Sequence, residues 1–429
     1  MILTERGHDE GGMGEGVGSG GFWFEHVAVM GAASPAPLAG VRICDVTQNL
    51  AGPYCAQILA DLGATVIKVE PPGGDLGRAW GPPFWGGDST LFLSANRGKR
   101  SIVVDLKQPE GREVLRRLAE SCDVFLQASR PAAAAGLGID YASVKSWRDD
   151  VIHLSISAYG QDGPMADQPG YDPLMQAYAG IISVTGEAGG PPTRVGGSVV
   201  DFGTGMWASI AILAALRTRD MTGRGSALES SLLDTSLAWV SYHMMGFMAT
   251  GNVPGPMGSS LGAIAPYRAF QSRDGHVMIA AGNDAIFRRL CTALEIDDVA
   301  QDPRFATNPL RVTHRTTLDP LVEAATERFT SEDLLIRLRA GSVPASAIQS
   351  IAEVVDDAQV AAAGMVPHAA NPAVPGYRDV SLPLRMDGTR PRADASPPAV
   401  GQDTEHVLRE LGYDEDEIRR LQNSGVFGG

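Results

Sequence analysis

The chain has 429 residues, of which 44% are hydrophobic and 20% are charged, a composition that can bury a sizeable core. Its formal net charge of −15 disfavours a nucleic-acid partner, because binding to phosphate backbones requires a basic face. We read no apolar run as approaching the ~18 residues of a membrane span, so we expect no membrane association.

Length and cysteine usage narrow the class of protein further. A chain of this length predicts two or three domains. The four cysteines are scattered without a CxxC pair, which predicts a reducing cytoplasm rather than a disulfide framework or a zinc site. Residues 1–36 are rich in glycine and lack the apolar core of a signal peptide, so they predict a flexible N-terminal extension.

From Leu38 onward, strand and helix patterns alternate. Residues 41–46, 51–63 and 64–70 predict a strand, a helix and a strand, and the right-handed crossover rule makes such strands parallel. The alternation continues through a strand, a helix and two more strands at residues 100–106, 109–122, 123–128 and 151–160. Apolar strands of this kind need helices on both faces, which predicts an open, doubly wound, Rossmann-like parallel sheet.

The second half of the chain predicts a smaller domain inserted before the end of the large one. Long apolar segments predict buried helices on either side of residue 225, and a Gly/Pro-rich loop ends near residue 263. A hairpin with its turn at residues 273–275 and several helices then predict an α+β unit. We assign residues 37–224 to the first part of a large α/β domain, 225–263 to a linker helix and loop, 264–341 to a small α+β domain, and 342–429 to a return linker and the C-terminal part of the large domain.

Two short motifs resemble known functional signatures without their structural context. Residues 16–21, GVGSGG, fit GxGxxG, but no strand precedes them and no helix follows, so a dinucleotide site is not predicted. Residues 258–262, GSSLG, fit the nucleophile elbow with Ser260, although the surrounding prolines favour a loop. His153 and His243 lie in apolar segments that are typical of core histidines.

Asp172 stands between a Gly-rich loop and an apolar run and is followed by Pro173. Aspartate is a favoured helix N-cap because its side chain accepts backbone N–H groups, and proline is well tolerated at the first helical position. The local sequence therefore favours a capping role. A second role for this carboxylate depends on the rest of the chain.

A basic cluster precedes one predicted strand. Arg97, Lys99 and Arg100 surround Gly98 within four residues. Such a cluster can bind phosphates, or it can be a solvated loop. Composition leaves both interpretations open.

Taken together, several segments in the same order resemble the family III CoA-transferases, the CaiB/BaiF or formyl-CoA-transferase-like family. They extend from about Leu38 to Val426 and include "LAGVRICDVTQNLAGPYCAQILADLGATVIKVEPPGGD", "NRGKRSIVVDLKQPEGREVLRRLAESCDV", "SISAYGQDGP", "QPGYDPLMQAYAG", "DFGTGMWASIAILAALRTRDMTGRG" and "VPASAIQSIAEVVDDAQVAAAGMV".

The resemblance implies a site and a chemistry. Asp172 would be the covalent nucleophile, coenzyme A would enter and leave as acyl-CoA, and neither a metal nor a redox cofactor would be required. Ala128 and Ser129 stand where the family usually has an Asn–aromatic pair. The implied CoA site comprises Leu50, Ala51, Pro71, Asn96, Arg97, Gly98, Lys99, Ala128, Ser129, Arg130, Ser157, Ala158, Tyr159 and Gly160.

The resemblance also implies the reaction and the partners. CoA would pass from an acyl-CoA to a small carboxylic acid through an aspartyl anhydride and an aspartyl-CoA thioester, with Gly-rich segments at 160–164 and 257–262 supplying oxyanion donors. An acyl-CoA racemase of the sister branch, with Asp172 as acid/base, is the alternative. That branch typically has histidine where this chain has Tyr171, which favours transfer. A thioesterase dependent on Ser260 is a third possibility, and the family's interlocked, ring-shaped homodimer is the expected assembly.

Overall fold

The computed structural model describes residues 36–428, so the predicted extension at residues 1–36 lies almost entirely outside it. The strands, in chain order, are β1 (Arg42–Asp45), β2 (Thr65–Glu70), β3 (Phe84–Trp85), β4 (Asp88–Ser89), β5 (Lys99–Val103), β6 (Val124–Gln127), β7 (Ile152–Ser157), β8 (Ser226–Ser231), β9 (Tyr267–Gln271), β10 (His276–Ala280) and β11 (Ala345–Ala347).

The helices follow the same alternation. They are α1 (Ala51–Asp61), α2 (Thr90–Ala95), α3 (Pro109–Glu120), α4 (Pro131–Leu137), α5 (Tyr141–Trp147), α6 (Asp172–Tyr178), α7 (Val199–Thr222), α8 (Leu232–Trp239), α9 (Ser241–Thr250), α10 (Asp284–Ala293), α11 (Asp297–Gln301), α12 (Asn308–Thr313), α13 (Arg315–Thr326), α14 (Ser331–Ala340), α15 (Ile351–Val355), α16 (Ala358–Ala363), α17 (Thr404–Glu410) and α18 (Glu415–Asn423). Short 3-10 turns occur at Leu76–Ala79, Ile182–Val184 and Pro303–Phe305.

Six strands form one parallel sheet in the order β5-β2-β1-β6-β7-β8. In the central strand β1, Ile43 pairs with Val66 of β2 on one side and with Val124 of β6 on the other. The chain therefore builds the sheet outward in one direction from β1 and then in the other. This architecture confirms the predicted α/β class with a doubly wound parallel sheet.

Successive residues of each strand face opposite layers, because side chains alternate across a sheet. Ile43 packs with Leu59 of α1 and Ile212 of α7 in one core. Its neighbour Cys44 packs in the other core, with Leu118 of α3 and Leu408 of α17. Burial on both faces explains why the strands read as nearly continuous apolar runs.

Helix α7 lies next to α1 in the first of these layers. It has 24 residues, and by length and composition alone it is apolar enough to cross a membrane, contrary to our expectation that no run approaches that length. Half of its most apolar window is buried inside the protein, as in a core helix. A Cβ on Gly205 would lie 2.6 Å from the carbonyl oxygen of Ala51, so this close packing requires glycine.

Residues 265–343 form a hydrophobic core of their own, around Phe270, Phe287 and Leu318. The antiparallel pair β9 and β10 confirms the predicted hairpin, and β11 pairs with β10 on its other edge. The chain then returns to the large sheet, where Val426 accepts a backbone hydrogen bond from Asp105.

Two details before this core differ from the sequence prediction. Strand β8, which we placed in the linker, pairs with β7 as the sixth strand of the large sheet. Helix α9, predicted to be buried because it is apolar, contains no buried residue in the described chain. Periodicity did not reveal this, because α9 is apolar nearly all round.

Candidate active site

A cleft of about 500 Å³ lies at the carboxyl ends of the central strands. Its walls come from the segments that follow β1, β6, β7 and β8, together with the loop before α6 and the start of α7. Strand order reverses between β1 and β6, and the loops that leave such a point in opposite directions create a crevice where ligands bind in doubly wound folds. The lining residues are Gln48, Asn49, Leu50, Ala51, Gly52, Leu76, Trp80, Ala128, Ser129, Arg130, Ala133, Ile156, Ser157, Ala158, Gln168, Pro169, Gly170, Tyr171, Asp201 and Leu232.

A buried polar network fixes the loop after β1. Asn49 adopts a positive φ of 67°, and Asp75 accepts its backbone N–H at 3.0 Å. Lys68 Nζ lies 2.6 Å from Asp75 Oδ2 and donates to the carbonyl oxygen of Thr47 at 2.9 Å. Because these groups are buried, each charge and dipole needs a partner, and the partners hold the cleft wall in place.

Lys99 belongs to the same buried network. Its ammonium lies 3.0 Å from Asp45 Oδ2 and donates to Asn96 Oδ1 at 2.9 Å, and the residue is 3% exposed. Burial lowers the pKa of Lys99 to about 8, against the opposing attraction of Asp45. The ammonium is therefore neither solvated nor free to bind a phosphate.

Arg97 is also an interior cation. It lies 2.5 Å from Asp61 and 2.8 Å from Asp379, a residue of the returning chain. Arg100, the third member of the basic cluster, pairs with Glu410 at the surface. Our expectation of a phosphate-binding or solvated cluster is corrected: the paired carboxylates lie far away in sequence, so composition could not reveal them.

Residues 96 and 98 of the basic segment, and three other residues that were predicted to bind CoA, lie away from the cleft walls. Gly98 donates its N–H to Ala395, and a Cβ there would lie 2.3 Å from Ala393 Cβ, so glycine permits close contact with the returning chain. Tyr159 packs edge-on against Tyr178. Four of the positions predicted for CoA, Asn96, Pro71, Tyr159 and Gly160, are not among the described lining residues.

The other half of the predicted CoA positions do meet in the cleft. They come from three separate loops and are Leu50, Ala51, Ala128, Ser129, Arg130, Ser157 and Ala158. Among the described lining residues, Arg130 is the only cation, and it is exposed. Arg130 therefore replaces Lys99 as the cation best placed for a phosphate.

Asp172 adjoins the cleft through Tyr171 on one side and Asp201 on the other. It is the first residue of α6, whose N-cap residue is Tyr171, so Asp172 does not cap its own helix as the local sequence suggested. Its Oδ2 accepts hydrogen bonds from the backbone N–H groups of Val200 at 2.7 Å and Asp201 at 3.2 Å. Asp172 thus caps α7, whose own N-cap side chain makes no capping bond.

The second oxygen of Asp172 is held differently. Oδ1 accepts a 2.6 Å hydrogen bond from the side-chain amide of Gln176, and that amide in turn accepts the N–H of Val195. The residue is 2% exposed. Two helix N-termini and three N–H donors surround the carboxylate, an environment that favours negative charge.

Asp201 is the functional candidate that sequence reasoning missed. It lines the cleft from the first turn of α7. Burial and the nearby charge of Asp172 raise the pKa of Asp201 from 3.8 to about 7. In the sequence, Asp201 simply follows "GGSVV", and no local pattern indicates that it would lie next to Asp172.

The remaining candidates of the sequence do not form a site in the described chain. Ser260 lies in a loop rather than between a strand and a helix, so the nucleophile-elbow geometry is not present. His153 is a buried core residue, bonded to the carbonyl oxygen of Ile139 at 2.9 Å, and burial lowers its pKa. His243 is half-buried on α9 rather than in a core.

The Gly-rich segments expected to supply oxyanion donors also lie off the cleft lining. None of residues 160–164 or 257–262 is among the described lining residues. The backbone N–H groups that meet Asp172 come from Val200 and Asp201 instead. Long-range packing of α7 against α6 creates this arrangement, and a local glycine pattern does not predict it.

A cleft at the switch point of a doubly wound sheet is where proteins of this class bind nucleotide-like ligands, and here a hydrogen-bonded aspartate lies beside it. The model of CoA-transferase family III matches residues 38–404. The chain belongs to this family and is an enzyme of it, a family III CoA-transferase, as the sequence resemblance implied.

Individual relatives agree with this assignment. The chain is 39% identical over 385 residues to the succinate–glutarate CoA-transferase of Agrobacterium fabrum, covering 87% of this chain and 96% of the relative. It is 37% identical over 398 residues to the succinyl-CoA:glutarate CoA-transferase of Mus musculus, with 91% and 90% covered. A CaiB/BaiF family protein from Brucella suis superposes with a TM-score of 0.80 at 37% identity, covering 88% of this chain and all of that one.

Proposed function

We propose that this enzyme moves CoA from an acyl-CoA to a carboxylic acid through covalent intermediates on Asp172. One observation carries the proposal: beside the cleft, one carboxylate oxygen accepts two backbone N–H groups while the other accepts a single side-chain amide. The oxygen with the single side-chain donor is the one that can be released to attack, because it gives up fewer hydrogen bonds. A carboxylate is also the same functional group as the acid that the reaction exchanges.

The first half of the reaction loads CoA onto the enzyme. Asp172 Oδ1 attacks the thioester carbonyl, the C–S bond breaks, and an aspartyl anhydride and a CoA thiolate form. The thiolate then attacks the aspartyl carbonyl carbon, releases the donor acid and leaves an aspartyl-CoA thioester. The acceptor acid reverses both steps and restores the carboxylate, so covalent catalysis divides the exchange into steps of similar energy.

In this mechanism, the backbone N–H groups of Val200 and Asp201 stabilise the negative charge that develops on Asp172. When a nucleophile adds to the aspartyl carbonyl, negative charge develops on its remaining oxygen, Oδ2. The N–H groups of Val200 and Asp201 already point at that oxygen, which is the requirement for an oxyanion hole. Because α7 fixes both donors, no reorganisation is needed as charge develops.

The substrates follow from the relatives and from the cleft. The relatives named above act on succinate and glutarate, and we propose that the acids exchanged here are likewise dicarboxylic. CoA would lie between the loops after β1, β6 and β7, with Arg130 contacting a phosphate. The 500 Å³ of the cleft leave room for part of CoA together with a short acid.

A racemase of the sister branch uses the same fold and remains the alternative. It would exchange the α-proton of its substrate with solvent and would need no second acid. Incubation of an acyl-CoA in D₂O without an acceptor acid therefore separates the two. Deuterium at the α-carbon would indicate racemisation, and its absence together with acid-dependent transfer would indicate a transferase.

The assembly is a separate proposal. Helix α9 exposes a row of large apolar side chains, Tyr242, Met244, Met245, Phe247 and Met248. An exposed apolar face of this kind marks an interaction surface, and we propose that it is covered in an interlocked homodimer. Sedimentation at nanomolar concentration should find a dimer, and a folded, active monomer would contradict the proposal.

The covalent mechanism predicts where an acceptor oxygen must go. With oxygen-18 in the acceptor acid, each turnover should leave one labelled oxygen in the carboxylate of residue 172. Mass spectrometry of the peptide that contains this residue measures the label, and hydroxylamine should trap the acylated enzyme there as a hydroxamate. Asp162→Asn, which changes an exposed aspartate in a nearby loop, is the matched control and should leave labelling unchanged.

A further inference from the structure

Asp201, which is half-buried, differs from acids in the interior of the large domain that pair with cations. Asp45 pairs with Lys99, Asp61 with Arg97, and Glu70 with Arg78. Within residues 36–428, the side chain of Asp201 has neither an ion pair nor a hydrogen bond, although it lines the cleft. An unpaired carboxyl group at such a place is available to a ligand.

The neighbourhood of Asp201 discourages a second charge. Its own backbone N–H is bonded to the carboxylate of Asp172, so the two acids are held next to each other. Two carboxylates in a desolvated site cannot easily ionise together. Burial and the adjacent carboxylate of Asp172 raise the pKa of Asp201 to about 7, so its carboxyl group carries a proton for a large part of the time near neutral pH.

The other ionisable groups that face this part of the cleft do not offset the pair. Tyr171 precedes Asp172 on one wall, and Arg130 extends from the loop after β6 on another. The guanidinium of Arg130 already donates to the carbonyl oxygen of Asp167 at 3.2 Å. From α1, the neighbouring group is Tyr54, which packs edge-on against Phe202 rather than against the acid.

We propose that Asp201 is a substrate-binding residue whose carboxyl proton is donated in a hydrogen bond to the carboxylate of the incoming acid, beside Asp172. This inference rests on the proposed transferase function and adds the group that admits the acid. An anionic acceptor must approach an enzyme that already has a carboxylate at its centre, and a neutral donor removes the repulsion that an ionised Asp201 would add. The proton stays on Asp201 throughout, and no bond to it is broken in the transfer.

A merely structural role is the competing explanation. An acid in the first turn of a helix interacts favourably with the helix dipole, and Asp201 occupies that position in α7. That role requires the ionised form, whereas donation to a substrate requires the protonated form. The two explanations therefore predict opposite pH behaviour.

The test is the pH dependence of kcat/KM for the acceptor acid, with succinyl-CoA as the donor and glutarate as the acceptor. Both carboxyl groups of glutarate are ionised above about pH 7, so a change between about pH 7 and pH 9 reports on the enzyme. We expect kcat/KM for glutarate in the wild type to fall about tenfold per pH unit above pH 7. Asp201→Asn keeps an N–H donor that cannot ionise, and its profile should be flat.

Asp220→Asn is the matched control, because it removes an exposed carboxylate from the same helix, roughly 28 Å away at ~1.5 Å per residue. It should keep the wild-type profile. If Asp201→Asn also keeps the wild-type profile, or if the folded Asn variant transfers no CoA at any pH, the inference is wrong. Absence of transfer by the wild type would instead contradict the proposed function, so the two failures are distinguishable.

A calorimetric measurement needs no active variant. Glutarate is titrated into the wild type with saturating CoA at pH 8, in buffers of different ionisation enthalpy. Binding through a protonated Asp201 should take up nearly one proton per glutarate at pH 8 and almost none at pH 6. Binding without proton uptake at pH 8 would overturn the inference.

Discussion

Two groups of charged side chains at the same end of the sheet are built in opposite ways. Beneath the loop after β1, Lys68 and Lys99 face Asp45 and Asp75, so cations and carboxylates alternate. Beside the cleft, Asp172 and Asp201 are adjacent with no cation bonded to either in the described residues. The first group holds a wall in place, whereas the second holds one carboxylate through N–H donors and leaves the neighbouring carboxyl group without a partner in the described residues.

Partner groups therefore separate the two kinds of charge in this enzyme. A buried charge that has found its partner resists change, because removing either member leaves the other uncompensated. A buried carboxylate held only by N–H donors has no such partner, and the carboxyl group beside it has a raised pKa. Pairing, rather than burial itself, distinguishes the two groups.

The largest expected effect is the loss of catalysis in Asp172→Asn. Asparagine can still accept the N–H groups of Val200 and Asp201, but its amide nitrogen then faces the amide of Gln176. We therefore expect a folded protein that loses about 1–3 kcal/mol of stability and transfers no CoA. Steady-state transfer assays check this together with thermal unfolding, after mass spectrometry has excluded deamidation back to aspartate. Substantial transfer by this variant would mean that Asp172 is not the nucleophile.

The second effect concerns stability. Lys99→Ala leaves Asp45 without its nearest cation and should lower the free energy of unfolding by about 3–5 kcal/mol. Denaturant unfolding measures the change, with the exposed Lys107→Ala as the control. In a double-mutant cycle, Asp45→Ala should recover part of this loss. If Lys99→Ala leaves the free energy of unfolding unchanged, Lys99 is not a structural ion-pair partner of Asp45, and a role in ligand binding becomes the better explanation.

A smaller effect is expected for the cleft cation. Arg130→Ala should weaken CoA binding by about 1–3 kcal/mol, the range for charge-assisted hydrogen bonds, with little change in stability. Calorimetric titration of CoA checks it, and Arg112→Ala on the surface of α3 is the control. If both variants bind CoA with equal affinity, Arg130 does not contact a phosphate of CoA.

The smallest effect is the pH dependence of stability at Asp201. Its pKa is raised to about 7 in the folded state, so the stabilisation from its proton is fully present below pH 4 and is lost as pH rises through 7. Relative to the wild type, Asp201→Asn should become more stable between pH 4 and pH 8 by about 1–2 kcal/mol, a range reduced for screening by cleft water. A constant difference between the two proteins over this range would show that Asp201 ionises normally.

Much of the fold followed from the sequence because its signals are local. Apolar runs of strand length alternate with helical patterns, and the crossover rule turns them into a parallel sheet. The hairpin with its turn at residues 273–275 was likewise predicted from its turn residues. The exposure of helix α9 could not be predicted in this way. An apolar sequence indicates that a helix face will be covered, but it does not show whether the same chain or a partner covers it.

The site was partly predictable for the same reason. Seven predicted positions that follow strand ends line the cleft, because the carboxyl ends of parallel strands converge. Arg97 and Lys99 were misread, because the carboxylates that pair with them lie up to several hundred residues away. No local pattern shows whether a basic residue will meet such a partner or a phosphate.

The parallel α/β scaffold, the family and the position of Asp172 could be read from the sequence alone, since these depend on periodicity and on short, ordered segments. The contacts of Asp172 depend on the folded chain. The tertiary structure moved the capping role from α6 to α7, supplied two backbone donors to one oxygen, and placed Asp201 beside the other acid. Electrostatic interactions act through space over a few ångströms, so the chemistry of a carboxyl group depends on neighbours that only the folded chain brings together.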